Sequence, residues 1–118
     1  MSARPQSPPR DPEQRLQSQA PVFAALGDAT RLHLLAVLCA GGAVSISQLT
    51  TGTDITRQAV TRHLGVLEEA GLVRGVKVGR ERLWAFDPGR LVEARESLDL
   101  ISRQWDAALE RLRLVVES

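Results

Sequence analysis

The apolar positions of this chain follow a helical period, then a strand period, then a helical one again, and the changes fall at glycine, proline and aspartate. Val22, Phe23, Ala25 and Leu26 predict a short apolar helix that Gly27 stops. Asp28 then caps a second helix, residues 29–40, through Leu32, Leu35, Ala36, Val37 and Leu38. That is too much apolar surface for an amphipathic surface element, so the expectation is a core helix ended by Gly41-Gly42. Ser45-Ile46-Ser47-Gln48 fits a capping box and opens a short helix to about Thr51 through Leu49. Residues 52–55 turn the chain, and Thr56 is the N-cap of a helix over residues 56–70. Its Ala59, Val60, Leu64 and Leu67 recur at helical spacing as an inward stripe, and Gly71 stops it.

The hairpin and the last helix follow. Residues 72–78 are rich in β-branched side chains, and Gly79-Arg80, with glycine first, suits a type II′ turn into a second strand at residues 81–86. Asp87 as cap and Pro88 at the first position start a helix over residues 88–117. Along it Leu91, Ala94, Leu98, Ile101, Trp105, Ala108, Leu112 and Val115 alternate spacings of three and four. At about 1.5 Å per residue that seam is about 37 Å long, more than one domain of this size covers. Half of it is expected to pack on its own core and half on a second copy, with Leu91, Leu98, Ile101, Trp105, Ala108 and Leu112 at the dimer interface. Residues 1–19 hold Pro5, Pro8, Pro9 and Pro12 among Ser, Gln and Arg, which predicts a mobile tail. Within it Asp11-Pro12-Glu13 can begin a short helix, and Arg4 and Arg10 are either solvated or close to phosphates. Residues 20–118 are expected to form a single domain, with recognition helix 56–70, wing 72–87 and dimerisation helix 88–117.

Two helices joined by a tight turn make a helix-turn-helix, whose second helix is placed for a major groove. On residues 56–70, Arg57 and Thr61 share a face with Gly65 and Glu68, and Gln58 and Arg62 lie beside them. Arg and Gln donate to purine edges, and Arg equally holds a phosphate. The hairpin adds Arg74, Lys77, Arg80 and Arg82. Net charge is only +1, so the cationic surface is local: residues 55–86 carry six Lys or Arg (57, 62, 74, 77, 80, 82) against three acidic residues (68, 69, 81). Residues 88–118 carry five basic residues (90, 95, 103, 111, 113) and six acidic ones (93, 96, 99, 106, 110, 117), which marks a pairing element and not a phosphate binder. The candidate DNA contacts are therefore Arg57, Gln58, Thr61 and Arg62 for bases, with Thr56, Lys77, Arg80 and Arg82 for the backbone. A charged hairpin also keeps a sheet edge from pairing, so the wing alone does not decide the matter.

Composition removes several classes. A hydrophobic fraction of 43% and a charged fraction of 25% are those of an ordinary globular protein. No apolar run is long enough for a transmembrane helix, and the N-terminus lacks the apolar segment of a signal peptide. The lone Cys39 excludes an internal disulfide framework and fits a reducing cytoplasm; its plain reading is a small buried apolar residue. Aromatics at 3% argue against base-stacking RNA platforms. His33 and His63 lie in different helices without a local partner and read as helix-surface or boundary residues. Neither a cofactor nor a metal is expected, and no phosphate loop, metal triad or nucleophile motif suggests an enzyme. A winged-helix interaction module that pairs through the long seam and never binds DNA is the alternative.

These motifs together carry a resemblance. FAALGDATRLHLLAVL (residues 23–38), ISQLTTGTDITRQAVTRHLGVLEEAGLV (46–73) and VGRERLWAFDP (78–88) resemble the ArsR family of bacterial winged helix-turn-helix transcriptional regulators. The resemblance implies a mainly α fold with a small β-hairpin, a long C-terminal dimerisation helix, and a homodimeric repressor acting at an inverted-repeat operator on double-stranded DNA. It also implies that a ligand releases DNA in some relatives. A small apolar effector between the first and last helices is compatible with this chain, though no residue pattern requires one. Two turn residues depart from the family pattern: Thr53 stands where an apolar residue is usual, and Asp54 where Gly or Asn is, with Asp able to adopt a left-handed backbone. The family's metal-sensing positions are missing: residues 45–51 hold no cysteine and residues 88–118 neither histidine nor cysteine.

Overall fold

The computed structural model describes residues 11–51 and 53–117. Arg4, Arg10 and the first part of the expected tail lie outside the described residues. The expected tail is corrected from Pro12 onward. Pro12–Ser18 is a helix (α1), because Asp11 accepts from the amide of Glu13 and Pro12 occupies the first turn, where no amide is needed. Leu16 turns toward Leu100 and Ile101 of the last helix, which gives the segment a surface to pack on.

Ala20–Leu26 (α2) stops at Gly27, and Ala29–Gly41 (α3) begins where the Asp28 carboxylate accepts from the amide of Arg31. The helix α3 is less uniformly buried than its composition predicts. Leu34, Leu35 and Leu38 are in the core, but Leu32 is half exposed and Ala36 and Cys39 face out. A helix of 3.6 residues per turn turns part of an all-apolar sequence outward when neighbours cover only one side. Cys39 is accordingly exposed, which corrects the buried reading.

Val44–Ser45 (β1) is a strand too short to announce itself by periodicity. Ser45 ends it and caps Ile46–Thr50 (α4) through the reciprocal box expected of it, Gln48 amide to Ser45 Oγ at 3.2 Å and Ser45 amide to Gln48 Oε1 at 2.9 Å. The turn that follows is closed by Thr53, whose hydroxyl donates to the Thr50 carbonyl at 3.0 Å. Asp54 needs no left-handed backbone here, since no described residue other than glycine has positive φ.

Arg57–Glu69 (α5) is capped by Thr56, whose hydroxyl accepts from Ala59 at 3.1 Å. Val60, Leu64 and Leu67 are wholly buried; Ala59 is only half-buried. The helix ends in a Schellman motif: Gly71 has φ +79°, its amide donates to the Glu68 carbonyl and the Leu72 amide to that of Leu67, both at 3.0 Å. Val73–Val78 (β2) and Glu81–Phe86 (β3) form the hairpin, with Val78 opposite Glu81 and Gly79 at φ +63° before a residue of negative φ, the sign pattern of a type II′ turn. The sheet is antiparallel with order β1-β3-β2.

Gly89–Glu117 (α6) begins one residue later than expected. The Asp87 carboxylate accepts from Gly89, while Pro88 supplies the first helical carbonyl to Val92 and so stands at the cap position instead of inside the helix. Its first half packs on the core through Leu91, Ala94 and Ser97. From residue 102 to 117 every described residue is exposed.

Candidate nucleic-acid interface

The N-terminal half of α5 owes its presentation to its two faces. Burying Val60 and Leu64 turns Arg57, Gln58, Thr61 and Arg62 outward, and all four are exposed. Arg57 Nη1 donates to Ser47 Oγ of α4 at 3.4 Å, a reach that ties the two helices of the helix-turn-helix. Thr61 Oγ1 donates to the Arg57 carbonyl at 2.9 Å, which leaves its lone pairs and methyl outward. Gly65 continues this face with open space where a Cβ would stand.

The wing flanks it. Arg74, Lys77 and Arg80 are exposed, and Arg80 sits in the turn itself. Arg82 is also exposed but already engaged: its Nη2 lies 3.3 Å from Glu68 Oε2 and its Cζ 4.5 Å from the Trp84 ring centroid. Both residues are plain in the sequence, but their meeting is not. Hairpin alternation puts Arg82 and Trp84 on one face, but only packing of the wing on α5 brings Glu68 there.

A second cluster ties α5 to the rest of the fold. Arg31 Nε donates to the Ala25 carbonyl at 2.6 Å, where α2 ends, and Nη2 to that of Ala24 at 3.3 Å, which also accepts from the Gly27 amide. Its Nη1 lies 3.4 Å from Nδ1 of His63 in α5. His63 Nδ1 is also 3.9 Å from Asp28 Oδ2. His63 is a half-buried boundary residue without a partner in its own helix; those it meets, Arg31 and Asp28, stand at the start of α3. Asp28 is held below the ordinary aspartate range, first by the hydrogen bond from the Arg31 amide, then by the charges of Arg31 and His63, against the opposing effect of desolvation. His33 is exposed. Among the described residues no group of three or more His, Cys, Asp or Glu is placed to hold a metal ion.

The seam divides. Leu91 packs against its own core and Ile101 is half-buried beside α1, so both already have neighbours within the protomer. Leu98, Trp105 and Leu112 are each at least half exposed, as are Leu109, Leu114, Val115 and Val116, and Ala108 is exposed with them. Trp105 shows 65% of its surface. Single exposed apolar residues are ordinary, but a run of this size on one helix is not. Among the described residues, no single helix is long and apolar enough to cross a membrane.

Known proteins share this arrangement. A family described as a helix-turn-helix domain matches residues 26–76. The uncharacterised HTH-type transcriptional regulator YuzN of Bacillus subtilis is 39% identical over 72 residues, 56% of this chain and 78% of that protein. The HTH-type transcriptional regulator Rv2034 of Mycobacterium tuberculosis is 34% identical over 96 residues, 81% of this chain and 86% of its own. Among solved structures, an ArsR-like transcriptional regulator from Rhodococcus sp. RHA1 superposes with a TM-score of 0.81 at 36% identity, covering 90% of this chain and 96% of that one.

Proposed function

The chain belongs to the ArsR family of winged helix-turn-helix transcriptional regulators, and we propose that it acts as a homodimeric repressor at an inverted-repeat operator. As a member it is a DNA-binding regulator and not an enzyme. The observation that carries the finer reading is the exposed face of Arg57, Gln58, Thr61 and Arg62, flanked by the exposed cations Lys77 and Arg80. In this reading the first two turns of α5 enter the major groove. Arg57, Gln58 and Arg62 reach base edges, and Thr61 packs beside them. The Thr56 region, Lys77 and Arg80 hold phosphates, which carry no sequence information but fix register. The exposed half of α6 pairs with its copy, since Leu98, Trp105, Ala108 and Leu112 otherwise remain in water. Two-fold symmetry then asks for half-sites about one helical turn, roughly 34 Å, apart. The protein represses by occupying the operator in the cytoplasm.

Selection of bound genomic fragments followed by gel-shift titration tests this. The expected result is an enriched inverted repeat, with Arg57→Ala and Arg62→Ala each weakening operator binding roughly fivefold to a hundredfold, as for the loss of a base contact of about 1–3 kcal/mol. Unchanged affinity in both variants overturns the assignment of the reading face. Failure to recover any fragment favours the interaction-module alternative.

A further inference from the structure

We propose that Glu68 and Arg82 form a brace between the recognition helix and the wing, in which Arg82 positions the wing and is withheld from DNA, so that Glu68 sets specificity. The inference rests on the operator-binding reading above.

Glu68 lies on the same face of α5 as Arg57 and Thr61, where a free carboxylate repels phosphate. Its charge is met by Arg82 Nη2 at 3.3 Å. Three neighbours of different kinds hold that guanidinium. Glu68 takes its edge. The Trp84 ring takes its face, with Cζ 4.5 Å from the centroid, and Trp84 is itself buried and therefore a fixed platform. The third is an absence of side chain. The register sets Gly75 opposite Trp84, and a Cβ at position 75 would stand 2.5 Å from Arg82 Nε, so the guanidinium fills the space that glycine leaves. Lys77, directly opposite Arg82 in the hairpin, would repel it were Glu68 not there.

Any one of these contacts is weak at a part-exposed site. Together they give Arg82 one orientation and join the wing to the second half of α5. A phosphate contact from Arg82 would be limited to the N–H groups that Glu68 leaves free, in the one orientation that the carboxylate and the ring impose. With Glu68 neutralised, Arg82 is released as a mobile cation able to meet phosphate on any sequence. Non-operator DNA then gains more than operator DNA, and the specificity ratio falls.

The test measures binding of an operator duplex and a scrambled duplex across a salt series, with full-length wild type, Glu68→Gln, Arg82→Ala and the double variant. Each phosphate contact contributes about 0.9 to the slope of log affinity against log salt. Glu68→Gln should bind the scrambled duplex several-fold tighter with a slope steeper by about 0.9, and should lose operator preference. The double variant, which carries neither charge, should return to the wild-type slope and lose the gain made by Glu68→Gln, while Arg82→Ala alone bares the Glu68 carboxylate and should weaken binding of both duplexes. In the DNA-free protein, the Arg82 Nε–H resonance should carry a Trp84 ring-current shift that Glu68→Gln largely abolishes. A slope shallower than wild type by about 0.9 in the double variant shows that Arg82 does hold a phosphate and overturns the proposal. A gain that persists in the double variant overturns it too, as simple repulsion by Glu68. If wild type enriches no operator, the operator reading fails and this inference with it; the other failures leave that reading intact.

Discussion

Single residues decide how the reading helix is ended, entered and charged. Gly71 ends it in a left-handed conformation, and a Cβ there would also meet Arg90 Cγ at 2.7 Å. Gly71→Ala should cost about 1–2 kcal/mol in urea unfolding, from the backbone alone. Gly65, in the same helix, has open space around its missing Cβ and ordinary helical φ, so Gly65→Ala should raise stability by about 0.5–1 kcal/mol. The two glycines thus respond with opposite signs to one substitution, and a pair of denaturation midpoints checks it. Asp28 supplies a pH dependence. Its folded value is lowered, so the stabilising charge is fully present above the ordinary aspartate value of 3.8 and is lost as pH falls through the lower folded value. Asparagine caps helices nearly as well as aspartate. Asp28→Asn should therefore keep the cap, be less stable than wild type at neutral pH, and converge with it in acid below that value. A stability difference that stays constant from neutral to strongly acid pH would refute this account.

At the scale of elements, burial separates helices that look alike in sequence. The stripe Val60, Leu64 and Leu67 was legible because α5 is amphipathic, with polar residues defining which side is out. Leu64→Ala should cost about 2–5 kcal/mol by thermal or chemical unfolding, as a wholly buried leucine leaves a cavity. The apolar helix α3 has no such polar marker, so composition could not tell Leu34, which is buried, from Leu32, which is not. The strand β1 was invisible for another reason: two residues show no alternation, and Val44 and Ser45 are a strand only because Trp84 and Leu83 pair with them. The helix α1 was half legible. Its cap could be read from Asp11-Pro12, but the order that makes it a helix to Ser18 comes from packing against α6.

For the whole molecule the question is what covers α6. Its exposed half holds Trp105 and Leu112 without making any contribution to the protomer core. Trp105→Asp or Leu112→Asp should leave the protomer folded and shift its sedimentation mass from about twice 12.9 kDa to 12.9 kDa. Variants that remain dimeric would place the interface elsewhere. Apart from β1 and the full length of α1, the order of elements, the caps at Asp28, Ser45 and Thr56, the hairpin turn at Gly79 and the length of the seam were determined by the sequence alone. Each depends on residues within a turn or two of one another, so local spacing and propensity suffice. What the tertiary structure decided is which of these parts meet. Glu68 finds Arg82 across a chain reversal, His63 finds Arg31 and Asp28 from a different helix, and Cys39 faces outward despite its apolar neighbours. Leu91 and Ile101 belong to the same periodic seam as Trp105 and Leu112, yet only the first two are covered within the protomer. Periodicity records that a face must be buried; what buries it depends on elements distant in the chain, and those contacts exist only once the chain has folded.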